Sequence, residues 1–186
     1  MLMKKALLLL IGLWAAASLS AQDRTQKTRW AHLNLLGLHY NYAFPLGERW
    51  TVTPHIGLSG ELGYSSSNFW SISTDDENHW FYTIRGSAGV DLRYYYNLTR
   101  RMEQGRKTAF NSGNFFSVDL QYLSRAFVYY HADRQDFFVA YPAWGMRRVY
   151  QSKYLIEVTA GALVGTVDGN WRIRGPRFDL KMGIVF

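Results

Sequence analysis

Cysteine is absent from this 186-residue chain, proline occurs only four times, and charged residues make up only 19% of the sequence. A chain without cysteine cannot form a disulfide scaffold, a cysteine-ligated zinc site or a thiol nucleophile. Four prolines and 16 glycines are too few for a proline-rich linker or a collagen-like protein. After residue 21, no apolar run approaches the roughly 18 residues that indicate a membrane-spanning helix.

Aromatic residues, in contrast, are abundant. They make up 17% of the chain, with 13 tyrosines, 11 phenylalanines and 7 tryptophans. Disordered chains lack such bulk, so disorder is excluded. The length corresponds to one domain or two small ones, and the formal net charge is +7.

The first 21 residues have the pattern of a secretory signal peptide. Lys4 and Lys5 precede an apolar run from Ala6 to Ala17, and small residues lead to Ala21, which favours cleavage near Ala21. The apolar run is shorter than the roughly 20 residues that a membrane-spanning helix needs. We therefore expect an exported protein with a single domain at residues 22–186.

Most of that domain alternates between apolar and polar residues with the period of a β-strand. The alternation predicts seven strands, most of them much longer than the five or six residues usual in soluble proteins: 30–44, 50–64, 80–96, 115–130, 137–149, 154–165 and 177–186. Aromatic residues flank the apolar faces, as in the girdles of membrane barrels. A soluble β-sandwich with an aromatic core is the alternative.

Seven strands conflict with the even number found in single-chain bacterial barrels. The apolar face of segment 30–44 switches at Leu35 and Leu36, which either a bulge or a short extra hairpin strand would explain. We predict about eight strands. If the last strand ends in the periplasm, the connections 65–79, 131–136 and 167–176 are external, and 45–49 and 97–114 are periplasmic.

The end of the chain, FDLKMGIVF at 178–186, resembles the final strand of outer-membrane β-barrels, which the barrel-assembly machinery recognises. The segments 44–50, 57–64, 93–98, 112–114 and 144–150 are similar to small β-barrel domain proteins of the Gram-negative outer membrane, most of them of unknown function. The resemblance implies an all-β, antiparallel, up-and-down transmembrane β-barrel in the bacterial outer membrane. It also implies an assembly signal formed by Phe178, Leu180, Met182, Ile184 and Phe186.

Eight strands enclose a bore that side chains can fill. The alternation predicts five acidic and five basic residues on the inward face, and buried charges need partners. We expect a charge network that plugs the lumen, with a proton or ion path as the alternative. The predicted members are Glu61, Arg85, Asp91, Arg93, Asp119, Arg125, Glu157, Arg177, Asp179 and Lys181.

His55, Ser59 and Glu61 share one predicted face and suggest a serine–histidine–acid arrangement. Residues four apart on a strand are separated by about 13 Å, beyond hydrogen-bond reach, unless other strands supply the partners. Two loop clusters have alternatives of their own. The run Asp75–Glu77 with His79 is either a divalent-cation site or a solvated acidic turn. The bases Arg100, Arg101, Arg106 and Lys107 bind lipid phosphates or form a solvated connection.

Together these patterns predict a non-enzymatic outer-membrane barrel that is structural or interacts through its external loops. We expect no catalytic residue, metal or cofactor and no nucleic-acid partner. The expected partners are outer-membrane lipid, lipopolysaccharide and the assembly machinery, and the oligomeric state is left open. The alternatives are a lipid- or lipopolysaccharide-modifying enzyme and a small pore or carrier for an apolar ligand.

Overall fold

A computed structural model describes residues 25–34, 37–65, 79–132, 135–167 and 170–186. The predicted signal peptide lies outside these residues. Eight antiparallel strands make up nearly all of the described chain: β1 Thr28–Asn34, β2 Gly37–Pro45, β3 Trp50–Ser65, β4 His79–Tyr95, β5 Asn114–Tyr130, β6 Phe137–Tyr150, β7 Tyr154–Val167 and β8 Asn170–Val185. Between β4 and β5 lie a short helix, α1 (Leu98–Glu103), and a 3-10 turn (Ala109–Asn111).

Each strand pairs with its neighbours in sequence, and the sheet closes on itself. Closure is made by β1 and β8, whose register runs from Trp30↔Val185 to Leu33↔Met182. The all-β class, the antiparallel pairing and the count of eight strands are therefore confirmed. Because the number is even, residues 25 and 186 lie at the same end of the sheet. We call this end, with connections 46–49, 96–113 and 151–153, the terminal end, and the opposite one the far end.

The predicted strand 30–44 is two strands, β1 and β2, so the single-strand prediction is wrong. They form a hairpin whose last described pair is Asn34↔Gly37. Leu33 and Leu38 lie opposite each other, and both are exposed on the outer face. The apolar face therefore switches in the sequence because β1 and β2 run in opposite directions. Of the two alternatives, the extra hairpin strand is confirmed and the bulge is not.

The last strand begins at Asn170 rather than at residue 177, so the prediction of a connection at 167–176 is also wrong. Glycine and proline at 175 and 176 usually argue against a strand. Here Gly175 pairs with Leu163 and Ile173 pairs with Val164, which leaves Arg174 as an extra residue in a bulge. Gly175 has a φ of 139°, which glycine adopts without strain. The irregular pair is therefore accommodated within a continuous strand.

The two faces of the closed sheet have opposite polarity. On β3, Thr51, Thr53 and His55 point inward and are buried, whereas Ile56 is 64% exposed and Leu58 is 47% exposed on the outer face. The same arrangement recurs on β4, where Asp91 and Arg93 are buried and Leu92 is exposed. Polar residues thus fill the interior and apolar residues cover the outside. No described helix is long and apolar enough to cross a membrane.

An apolar layer closes the interior at the terminal end. It comprises Trp30, Ala43, Val149, Leu155 and Val185, and Phe110 packs against it from the connection between β4 and β5. This connection, residues 96–113, is called the cap segment below. Its Leu98 is fully buried against Tyr95 and Phe115. The cap segment is therefore anchored to the folded structure by buried side chains, while its residues 102–107 are exposed.

Hydrogen bonds fasten the cap segment to the start of β1. The Gln26 backbone N–H donates to Asn111 Oδ1 (2.6 Å), and Asn111 Nδ2 donates to the Gln26 carbonyl (2.8 Å). The Phe110 N–H donates to Gln26 Oε1 (2.9 Å). Phe110 and Asn111 have φ angles of 56° and 60°, a region that costs non-glycine residues energy. The contacts with Gln26 and the apolar layer hold this strained turn.

Gly183 allows β1 to approach β8 closely at the closing pair of strands. A Cβ atom on Gly183 would lie 2.7 Å from the Cα of His32 and would also collide with the carbonyl oxygen of Ala31. We expect Gly183→Ala to destabilise the protein by about 1–3 kcal/mol, because backbone atoms on both strands would have to move. The free energy of unfolding is measured by urea titration of the folded protein in detergent.

Gly165→Ala is the matched control. The nearest atom to its new Cβ is Arg174 Nε at 3.2 Å, the end of a flexible side chain that can move away. A loss of stability at Gly165 as large as that at Gly183 would contradict the close-approach explanation.

Candidate functional site

Glu157 is the centre of a buried ion cluster in the interior. Its carboxylate accepts hydrogen bonds from Arg93 Nη1 (2.8 Å) and Nη2 (3.0 Å) and from Arg147 Nε (2.7 Å). Lys181 Nζ lies 3.4 Å from the same carboxylate. The side chains of Glu157 and Arg147 are 1% and 0% exposed. Such a cluster is stable only because each charge has partners at short range.

The strand register explains how these residues meet. Arg147 on β6 and Lys181 on β8 flank Glu157 on β7 as direct cross-strand neighbours. Arg93 reaches Glu157 from β4, three strands away around the sheet, so its contact spans the interior. Arg93 Nε also donates to Asp91 Oδ2 (2.6 Å), two residues earlier on the same face of β4. The cluster therefore joins opposite walls of the closed sheet.

Aromatic rings lie between the cluster and the terminal end. The guanidinium of Arg147 stacks 3.9 Å from the centre of the Trp30 ring, and that of Arg93 lies 4.5 Å from the Phe115 ring. Cation–π contacts of this kind are attractive and are stronger when water is excluded. Where the charged centre meets the apolar layer, the two guanidinium groups therefore contact aromatic rings.

Three histidines form a second cluster next to the charged centre. The rings of His32 and His39 stack with centroids 5.1 Å apart, and the centroid of His55 is 6.2 Å from that of His39. His55 Nε2 is 2.8 Å from Asp119 Oδ1, and Gln121 Nε2 donates to Asp119 Oδ2 (2.7 Å). The imidazoles are thus held by ring stacking and by polar neighbours from several strands.

The serine and the acid of this region contact different histidines. Ser59 Oγ lies 3.3 Å from His39 Nε2, and the other ring nitrogen of His39 faces Ser87 Oγ at 3.5 Å. Asp119 contacts His55 instead. A serine nucleophile needs a base that a third group, usually an acid, orients. Each ring nitrogen of His39 faces a serine, so a second serine occupies the place of the orienting acid. The side chain of Glu61 lies outside the described residues.

Four other predicted members of the charge network are spread along the interior: Arg85, Asp119, Arg177 and Asp179. Arg177 forms an ion pair with Asp179 on β8 (Nε–Oδ2, 3.0 Å), and its guanidinium stacks on Tyr141. Arg85 lies near the far end, where it donates to the Gln135 carbonyl and stacks on Phe137. The structure thus joins Asp91, Arg93, Glu157 and Lys181 in one cluster, whereas Arg85, Asp119, Arg177 and Asp179 have other partners.

Arg125 is not in the interior, and its predicted inward position is wrong. Arg85 pairs with Ala126 and Ser87 pairs with Leu123, so two residues of β5, Ser124 and Arg125, face Gly86 alone. A bulge of this kind exchanges the two faces of a strand beyond it. Ala126 is consequently buried, and Arg125 is exposed.

Arg147, His32 and His39 belong to the interior but were not predicted. Both faces of β6 are largely apolar, so alternation alone did not identify the inward face of that strand. The turn at residues 151–153 contained the missing information. Because Tyr150 pairs with Tyr154, counting back along the hairpin brings Arg147 opposite Glu157. His32 and His39 alternate with apolar residues of the first hairpin, so their inward positions could have been inferred from that pattern.

Little free space is left between these side chains. The cavity bordered by the histidine cluster, Asp91, Arg93 and Lys181 has a volume of about 20 Å³. One water needs roughly 10–15 Å³ by this measure, so there is room for one or two. No group of three or more histidine, aspartate or glutamate side chains in the described residues has an arrangement that could hold a metal ion.

The two loop clusters differ in what the structure describes. Asp75–Glu77 and the side chain of His79 lie outside the described residues. The cap segment at the terminal end contains Arg100, Arg101, Arg106 and Lys107, and of these four only Arg101 is partly buried.

No protein-family model matches this chain, and neither does any curated protein or solved structure.

We expect Glu157→Gln to destabilise the protein by about 3–5 kcal/mol, because it leaves the buried Arg93 and Arg147 and the partly buried Lys181 without their shared carboxylate. The substitution preserves the size of the side chain, so the loss reports the charge and not a cavity. The free energy of unfolding is measured by urea titration.

Glu103→Gln, the same substitution at an exposed position of α1, should leave stability unchanged. Similar stability for Glu157→Gln and the unmodified protein would contradict the role of Glu157 as the centre of the cluster.

Proposed function

We propose that this protein is an integral outer-membrane β-barrel whose interior is plugged by side chains, and that it is structural or interacts through its far-end loops. The inverted polarity of the closed sheet carries this proposal. Every strand has at least one large apolar side chain exposed on the outer face: Leu33, Leu38, Ile56, Leu92, Leu120, Phe138, Ile156 and Leu180 among others. A water-soluble monomer rarely exposes a contiguous apolar patch above a few hundred Å². A lipid environment accounts for the outer surface as a whole.

Aromatic residues border the apolar band at both ends. Near the far end, Tyr82 stacks on Tyr130, and near the terminal end, Trp50 packs on Tyr94 with ring centroids 4.9 Å apart. Tyr82 and Tyr94 are 12 residues apart on β4, or about 40 Å along the strand. With the usual strand tilt of about 35–45°, the height between the two rings is about 30 Å. This value agrees with the hydrocarbon thickness of a bilayer, about 30 Å.

The last strand supports the assembly route that the resemblance implies. Phe178, Leu180, Met182, Ile184 and Phe186 all lie on the outer face and are exposed, with Phe178 at 77%. This is the apolar face that we propose the barrel-assembly machinery recognises. Both described chain ends then lie on the periplasmic side, and the far-end connections meet the lipopolysaccharide leaflet.

The filled interior favours a plugged barrel over a pore or an enzyme. The apolar layer and the cap segment obstruct the terminal end, and the charge cluster spans the interior next to that layer. An aqueous channel requires a continuous wet path, and an eight-stranded barrel has room for little beyond its own side chains. The serine and acid groups of the histidine cluster do not converge on a common histidine.

We expect the protein to fractionate with the outer membrane and to migrate faster on an unheated denaturing gel than after boiling, because a closed barrel stays compact in mild detergent. The measurement is sucrose-gradient fractionation followed by gels of heated and unheated samples. A protein engaged only at the membrane surface would be released by high salt or carbonate washing. Recovery of folded protein in the soluble periplasm would overturn the membrane proposal.

We also expect no steady current when the purified protein is inserted into planar bilayers, since the apolar layer, the cap segment and the charge cluster obstruct the interior. A general porin measured under the same conditions is the positive control. Reproducible open-channel currents on the nanosiemens scale would favour the pore and contradict the plugged interior.

A further inference from the structure

The terminal end carries a strong excess of positive charge. Among the described residues outside the interior, nine basic side chains and two acidic ones lie there. The acids are Glu48 and Glu103, and the bases are Lys27, Arg29, Arg49, Arg100, Arg101, Arg106, Lys107, Arg148 and Lys153. An excess of this size attracts anions and repels other cations.

Several of these bases contact the aromatic side chains that border the apolar band. Lys27 and Arg29 lie 5.4 and 5.1 Å from the centre of the Tyr42 ring. On the next strands, Arg49 Nη1 donates to the Tyr94 hydroxyl (3.2 Å). Further around the sheet, Lys153 lies 5.9 Å from the Tyr154 ring. The positive charges thus follow the perimeter of the sheet at the height where aromatic residues mark a membrane–water interface.

Three arginines lie near one another within this charged end. The charges of Arg101 and Arg106 both act on Arg148 at the end of β6. No carboxylate of the described residues forms an ion pair or hydrogen bond with any of the three. Burial and the neighbouring Arg106 lower the pKa of Arg101. Arg101 Nε is buried and has no hydrogen-bond partner in the described part of the chain.

The fold holds this group in position. The Arg106 backbone N–H donates to the Arg101 carbonyl (2.9 Å), and Gly105, with a φ of 65°, ends the helix between them. Arg101 Nη2 donates to the Lys107 carbonyl (3.1 Å). Arg148 Nη2 donates to Asn114 Oδ1 (2.8 Å). Like charges held together in this way favour an anionic ligand that neutralises them.

Lipid-facing side chains adjoin the group. The Tyr96 hydroxyl accepts hydrogen bonds from Trp144 Nε1 (2.9 Å) and from Asn114 Nδ2 (3.3 Å), the same Asn114 that contacts Arg148. Trp144 and Phe116 are exposed on the outer face directly beside Tyr96. A phosphate at the guanidinium groups would therefore have an apolar surface immediately next to it. A phospholipid has both of these parts in one molecule, whereas free phosphate has only the first.

We propose that the terminal end binds the phosphates of anionic phospholipids in the adjacent leaflet, with Arg101, Arg106 and Arg148 as the strongest site. This inference rests on the proposed membrane location. Guanidinium groups suit phosphate because they donate two parallel hydrogen bonds to its oxygens. The other bases of the perimeter would bind further headgroups more weakly. The protein would thus hold a ring of anionic lipid on its periplasmic side.

The test measures lipid binding by native mass spectrometry of the folded, detergent-solubilised protein, titrated with phosphatidylglycerol or with phosphatidylcholine. We expect tighter binding of phosphatidylglycerol and a loss of this preference at high salt. Each basic group near a membrane surface contributes about fivefold to binding. The double variant R101Q/R106Q should therefore bind phosphatidylglycerol roughly 5- to 25-fold more weakly.

R125Q/R172Q is the matched control, because it removes two exposed arginines from the far half of the sheet. It should keep the affinity of the unmodified protein. An equal loss in both double variants would overturn the assigned site, because net charge alone would then explain it. If R101Q/R106Q does not fold, the single variant Arg106→Gln, at an exposed position, is compared with the control instead.

Two further outcomes separate the possible explanations. Competition by inorganic phosphate as effective as by phosphatidylglycerol would show a free-phosphate site and overturn the lipid assignment. Equal affinity of the unmodified protein for both lipids would overturn this inference alone, provided that the unheated gel shows a folded barrel. Failure to form a heat-modifiable, membrane-inserted species would instead overturn the proposed function and this inference with it.

Discussion

Pairing of β1 with β8 is the constraint on which the rest of the structure depends. Among the described residues, four pairs from Trp30↔Val185 to Leu33↔Met182 form this ladder, and they turn an open sheet with two edges into a closed one. Closure removes much of the inward face from solvent, so the charged groups on it need partners inside. The close approach of Gly183 to β1 belongs to the same ladder, and a side chain there would act on closure itself.

The charge cluster follows from that constraint. Glu157 compensates Arg93, Arg147 and Lys181, and Asp91 supplies a second negative charge to Arg93. Because these contacts link β4 with β6, β7 and β8, they tie together strands that share no backbone ladder. The interior therefore resists separation of opposite walls, whereas the backbone ladders resist separation of neighbouring strands only.

Alternation predicted the strands whose two faces differ in polarity, such as β3 and β4, within one residue of their observed bounds at each end. It failed where a local reversal or an extra residue changes the face, as at the first hairpin, at Arg125 and at Arg174. These features depend on pairing with a neighbouring strand, which a single strand's pattern does not contain. Arg147 was missed for a different reason, because its strand is apolar on both faces and its charge is paired only across the hairpin.

The cap segment also has a consequence for the order of folding. Gln26 and Asn111 are separated by 85 positions, so their hydrogen bonds require residues from both halves of the chain. The strained backbone at Phe110 and Asn111 gains its compensation only when those bonds form. Long-range contacts of this kind are slow to form because the intervening chain must first be ordered. The terminal end is therefore sealed late, and until then the interior remains reachable by water from the side on which both chain ends lie.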